Sequence, residues 1–136
     1  MLELALHLLD ILENAVRAKA GIIRVSIRLD ARGERLTLCV EDDGPGFPVA
    51  PEDVLNPFFT TKGGKRTGLG LSLFRAAAQQ AGGDMALSTS EFGGAKVEAF
   101  LGYTHVDRAP LGDVGETVKA IAVPNPEIVW IVHVEG

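Results

Sequence analysis

The sequence predicts an α+β fold, a two-layer sandwich in which a mixed β-sheet is covered on one face by helices. Three observations lead there. Leu2, Leu6, Leu9, Ile11, Leu12 and Val16 recur near a helical period, and a second run rich in Ala and Leu spans Leu69–Ala81. Several stretches between and after these runs alternate apolar and polar residues, as half-buried strands do. The chain has 136 residues, a single-domain length that buries roughly two-thirds of its unfolded surface.

Each element carries its own signal. Residues 2–19 form the first helix, ended by Ala20-Gly21. Ile22–Leu29 reads IIRVSIRL, a strand that turns Arg24 and Arg28 away from its apolar side. Ala31-Arg32-Gly33 reverses the chain, and Leu36–Glu41 returns as a strand with acids at its tip. Pro48–Lys65 is a long connection with a short helical turn near Pro51–Leu55. The second helix, Leu69–Ala81, stops at Gly82-Gly83. Strands Met85–Ser90 and Lys96–Leu101 follow, joined by a Phe92-Gly93-Gly94 turn. Asp113 caps a helix running to about Val123, and Pro124-Asn125-Pro126 breaks it. Ile128–Val134 is an apolar, β-branched strand with no polar face. It is therefore expected inside the sheet under a covering helix, or covered by another molecule.

Composition excludes several classes. Apolar content of 46% with 23% charged residues is that of a globular protein. A net charge of −5 argues against a general nucleic-acid binder, and no apolar stretch is long enough for a membrane span. Glu3, Asp10 and Glu13 interrupt the apolar N-terminus, so it does not read as a signal peptide. Cys39 lies in an apolar run and reads as a packed thiol suited to a reducing, cytoplasmic setting.

The chemistry concentrates between Val40 and Leu73. Asp42-Asp43-Gly44-Pro45-Gly46 forbids regular structure and lets backbone approach a ligand closely. Pro57-Phe58-Phe59-Thr60-Thr61-Lys62 and the basic run Gly63-Gly64-Lys65-Arg66 come next. Thr67-Gly68-Leu69-Gly70-Leu71 then opens the second helix, where unpartnered N–H groups favour an anion. Singly these pieces are weak. The glycine pair also suits an ordinary turn, it follows no strand as a dinucleotide fingerprint requires, and no P-loop run is present. Asp42-x-Gly44-x-Gly46 alone also suits a turn or part of a calcium loop, although further calcium ligands are missing. Their order points to nucleotide binding.

In that order the chain resembles the GHKL ATPase superfamily, which groups gyrase-type topoisomerases, large heat-shock chaperones, histidine kinases and mismatch-repair proteins. Asp10-x-x-x-Asn14-Ala15 resembles its N box, and Asp42-x-Gly44-x-Gly46 its G1 box. Pro57-Phe58-Phe59 resembles the F box, and Gly68-Leu69-Gly70-Leu71 the G2 box. PFFTTK followed by TGLGLSL is especially similar to histidine-kinase catalytic domains. The match covers roughly 2–101, leaving 102–136 as a C-terminal extension of helix and strand. That extension is similar to those of small free-standing ATP-binding proteins of anaerobic bacteria.

The resemblance implies ATP (or ADP) and Mg²⁺ as ligands and assigns roles. Asn14 ligates the metal that bridges the phosphates, and Asp10 polarises water or orients the metal shell, making these two the candidate catalytic pair. Asp10 stands where hydrolytic members commonly have the longer Glu, which argues against efficient hydrolysis. Arg17 sides with the kinases, which carry a base there that reaches the phosphates; a solvated residue late in a helix is the plainer alternative. Asp42 accepts the adenine amine, while Asp43 stays solvated at the pocket edge. Gly44 and Gly46 shape the pocket. Residues 48–65 form the ATP lid, which Phe58 and Phe59 anchor; Phe59, Thr60 and Lys62 are its nucleotide-binding candidates, Lys62 coming first among Lys62, Lys65 and Arg66 as the base that meets phosphate oxygens. Thr67, Gly68, Leu69, Gly70 and Leu71 complete the phosphate side.

A histidine kinase of the usual kind presents a phosphoacceptor His, followed by an acid, on a helical hairpin. His7, His105 and His133 are followed by Leu or Val, and no such hairpin is recognised. Three functions therefore compete. One is a regulatory kinase acting in trans on a partner's His, Ser or Thr. Another is a slow ATPase whose lid drives a partner, and the third a non-catalytic ADP/ATP sensor. The His105–Arg108 stretch, HVDR, reads as turn and salt-bridge chemistry. The last strand is expected to pair across a homodimer, to dock a protein partner, or simply to complete the chain's own sheet.

Overall fold

The computed structural model describes residues 3–30, 32, 34–46, 68–105 and 108–135. The predicted lid, its helical turn near Pro51–Leu55 and the F box lie outside the described residues. Helices α1 (Leu4–Arg17), α2 (Gly68–Gln80) and α3 (Val114–Ala122) accompany strands β1 (Ile22–Leu29), β2 (Arg35–Asp42), β3 (Asp84–Thr89), β4 (Ala95–Gly102) and β5 (Val129–Glu135). The sheet order is β3-β4-β2-β1-β5. All neighbours run antiparallel except β1 and β5, which are parallel, so the sheet is mixed.

Strand periodicity separates the two faces. Ile23, Val25, Leu38, Val40, Val97 and Ala99 point into the core, where Leu8 and Leu12 of α1 and Phe74 and Ala78 of α2 meet them. The opposite face carries charge. Arg24 ion-pairs with Glu41 and Glu91, its guanidinium lies 4.9 Å from the Phe92 ring centre, and Lys96 lies 3.8 Å from Glu41. Cys39 shares this face with Glu41 but is buried between strands; burial foremost pushes its thiol up to about 11, so it stays protonated and inert.

The segment beyond the predicted match is built into the same layers. Glu3 supplies no side-chain cap to α1; instead Pro110 and Leu111 accept from the Leu4 and Ala5 N–H groups at 2.8 and 2.9 Å. Asp113 caps α3 as expected, accepting from Glu116 N–H at 2.9 Å. Arg108 donates to the Tyr103 and Ala109 carbonyls, the turn chemistry expected of that stretch.

Of the places expected for the last strand, the chain's own sheet is the one observed: β5 pairs with β1. Among the described residues little covers it. Val129 is 56% exposed, Val132 52% and Val134 69%. The reason is position: β5 is the sheet edge, and α3 with the turn after it reaches only its start. There Ile128 is buried and Trp130 Nε1 donates to the Asn125 carbonyl at 3.1 Å.

Candidate functional site

Helix α1 forms one wall of the site. Its amphipathic period buries Leu4, Leu8 and Leu12, which leaves Asp10, Asn14 and Arg17 on a shared stripe. The Asp10 carboxylate rests against α2 at Gly70, where any Cβ would fall 1.5 Å from Oδ2. One turn earlier, buried His7 stacks on Phe74 with centroids 5.5 Å apart and planes 9° apart. Burial holds the His7 imidazole below its ordinary value, against an opposing pull from Asp10. Arg17 donates to Asn14 Oδ1 at 2.5 Å.

Helix α2 starts at Gly68, directly after a run outside the described residues. The first four N–H groups of any helix have no acceptor within it. Gly70 is half-buried against Asp10, and Leu71 is a core residue. Phe59, Thr60, Lys62 and Thr67 lie outside the described residues, as does the side chain of Leu69.

Asp42 ends β2 on the core side, so alternation sends it toward the helices while Glu41 points to the charged face. Both hydrogen bonds described for its carboxylate converge on Oδ1, from Gly44 N–H at 2.9 Å and Ala95 N–H at 3.1 Å. Among the described residues neither of these bonds engages Oδ2. The Asp42 carbonyl accepts from the Ser90 hydroxyl at 2.5 Å. The loop that follows touches both α1 and the β3–β4 turn. A Cβ on Gly44 would lie 3.8 Å from that of Ala18, and one on Gly46 would lie 3.9 Å from Gly94. Gly46 has φ +79°, which favours glycine.

Asp43 is exposed, as expected, but it is also a tether. Its Oδ1 accepts from Gly21 N–H at 2.7 Å and Ile22 N–H at 3.0 Å, clipping the loop to the start of β1. The Ile22 bond, with help from Gly21, holds its carboxyl below the usual range.

The donor set suits a nucleotide-borne metal. Among the described residues, no three of His, Cys, Asp and Glu cluster as a metal site. The Asn14 amide oxygen with the Asp10 carboxylate one turn away is a hard-oxygen pair. Mg²⁺ accepts one or two such protein ligands and completes its shell with phosphate and water. Sequence reasoning missed Ser90, Gly94, Ala95 and His7. The Gly93-Gly94 pair was the available signal, read only as a turn.

Residues 2–105 match the family described as histidine kinase-, DNA gyrase B-, and HSP90-like ATPase. The chain is similar to sensor protein RstB of Escherichia coli K12, 38% identical over 95 residues, covering 64% of this chain and 21% of that protein. It is 31% identical over 100 residues to E. coli K12 sensor protein PhoQ, covering 71% and 20% respectively. The chain thus spans about a fifth of the length of these curated relatives. Among solved structures, the ATP binding domain of PrrB from Mycobacterium tuberculosis matches with TM-score 0.56 and 26% identity, covering 72% of this chain and 65% of that one.

Proposed function

Since the chain belongs to the histidine kinase-, DNA gyrase B- and HSP90-like ATPase family and carries a histidine-kinase-like ATP-binding domain, we propose that it is a regulatory protein kinase acting in trans. It would transfer phosphate from Mg-ATP to a His, Ser or Thr of a separate protein. The observation that carries the nucleotide reading is Asp42, a buried carboxylate oriented through Oδ1 with Oδ2 left for the adenine amine. Gly44 and Gly46 admit the base, while Thr67, Gly68, Leu69, Gly70 and Leu71 form the phosphate side. Asn14 holds the metal and Asp10 orients its shell. Mg²⁺, when bound, neutralises phosphate charge. Arg17 releases Asn14 and turns to the phosphates. Phe59, Thr60 and Lys62 act from the lid.

The same proposal divides the chain into a kinase-like domain at 1–101 and an extension at 102–136, and places the protein in the cytoplasm. No described helix is long and apolar enough to cross a membrane. It also includes a homodimer through β5. Antiparallel pairing of two copies centred on Val132 would set apolar residues against apolar residues on the helix-side face, which the exposure of Val132 and Val134 favours.

The test is transfer of labelled phosphate from ATP in the presence of co-purified proteins. Label on a second protein supports the kinase. ATP turnover without an acceptor selects the slow ATPase, and tight binding with neither selects the sensor.

A further inference from the structure

We infer that Ser90, in the turn between β3 and β4, is a specificity-determining positioning residue that aims Asp42 at the adenine amine. The inference rests on the reading of Asp42 as the adenine acceptor.

The turn is locked around Ser90. Its N–H donates to the Gly94 carbonyl at 2.8 Å, and its carbonyl accepts from Gly93 N–H at 3.0 Å. Its hydroxyl accepts from Phe92 N–H at 3.0 Å and donates to the Asp42 carbonyl at 2.5 Å. Ser90 is only 5% exposed, so water does not compete for these bonds. The hydroxyl therefore joins a turn of fixed shape to the backbone of the acid itself.

Gly94 shows how closely the two segments meet. A Cβ there would fall 2.4 Å from Asp42 Oδ1, 2.5 Å from the Asp42 carbonyl oxygen and 2.6 Å from Gly44 N. The next residue, Ala95, is the one whose N–H fixes Oδ1. Ser90 thus holds Asp42 by its carbonyl while the same turn holds Asp42 by its carboxylate. Two attachments on one residue define both position and rotation. Removing the hydroxyl frees the carbonyl end and lets Oδ2 swing from the amine. It also leaves the part-buried Phe92 N–H without its acceptor.

Adenine differs from hypoxanthine in presenting a donor amine where the latter has a carbonyl oxygen. A fixed Oδ2 accepts from the first and repels the second. Ser90 should consequently govern the ratio of ATP to ITP affinity, not affinity in general.

The experiment measures dissociation constants for Mg-ATP and Mg-ITP by calorimetry on the full chain, wild type, Ser90→Ala and Ser90→Thr, with melting curves to confirm folding. Wild type is expected to prefer ATP. Ser90→Ala should shrink that preference about fivefold, the worth of roughly one hydrogen bond, chiefly by weakening ATP. Ser90→Thr, which keeps the hydroxyl, should restore it. An unchanged ratio in folded Ser90→Ala overturns the inference, and so does equal weakening of both nucleotides, which marks a merely structural role. A wild type that does not distinguish ATP from ITP overturns instead the adenine role of Asp42, and this inference with it.

Discussion

The carboxylate of Asp10 on α1 lies directly against Gly70 on α2, leaving no room for a side chain at that glycine. The first helix and the start of the second are thereby keyed together at the acid proposed to orient the metal.

Gly70→Ala tests that key. The methyl would collide with the tip of Asp10, a flexible end that can swing aside. Meanwhile alanine gains about 0.5–1 kcal/mol of helix propensity. The expected result is a protein of near-native stability whose Mg-ATP affinity falls about five- to tenfold, as for Asp10→Ala. The double variant should be no worse than either single, because both act through one contact. Additive losses measured by calorimetry would separate the two residues.

His7 predicts a pH effect on stability. Its folded value lies below the ordinary 6.5, chiefly through burial. Below about that pH the unfolded chain therefore binds more protons than the folded one. Stability should be fully present above about pH 6.5 and decline as pH falls through the window beneath it. His7→Phe keeps a ring on Phe74 and removes the titration. Melting temperatures between pH 5 and 8 should show a shallower acid decline for the variant than for wild type. Parallel curves would deny His7 this role.

Much of the fold was legible because local patterns and tertiary structure agree. The helix over Leu4–Arg17, the alternation of β1 and the Asp113 cap all appear within a residue or two of their sequence signals. β5 was legible as a strand, but which of its expected places it takes was not, for a physical reason. Two apolar faces signal burial, but sheet order is not local information, and the chain placed this strand at the edge. The candidate site was legible where glycines and acids sit close in sequence. Ser90 was not, because its partner, Asp42, is 48 residues away and its bond is to backbone, which leaves no trace in residue type. Lys19 shows the same limit. It ends α1 with φ 63°, although Gly21 two residues later is the better left-handed former; Gly21 instead donates to Asp43.

The exposed edge carries the oligomer prediction. Light scattering across a concentration range should show a dimer of the wild type. Val132→Lys with Val134→Lys should be monomeric with unchanged nucleotide affinity, since lysines on an edge oppose pairing. A wild type that stays monomeric at every concentration would sink the dimer.

Calorimetry of ATP binding to wild type and Asp42→Asn decides whether Asp42 reads adenine. An amide can present an N–H₂ to Gly44 and Ala95 or to the adenine amine, and either arrangement sets donor against donor. Losing a charge-assisted hydrogen bond in a buried site costs roughly 1.5–3 kcal/mol. ATP affinity should weaken by about one to two decades in a variant that remains folded. Unchanged affinity for ATP in folded Asp42→Asn would contradict it.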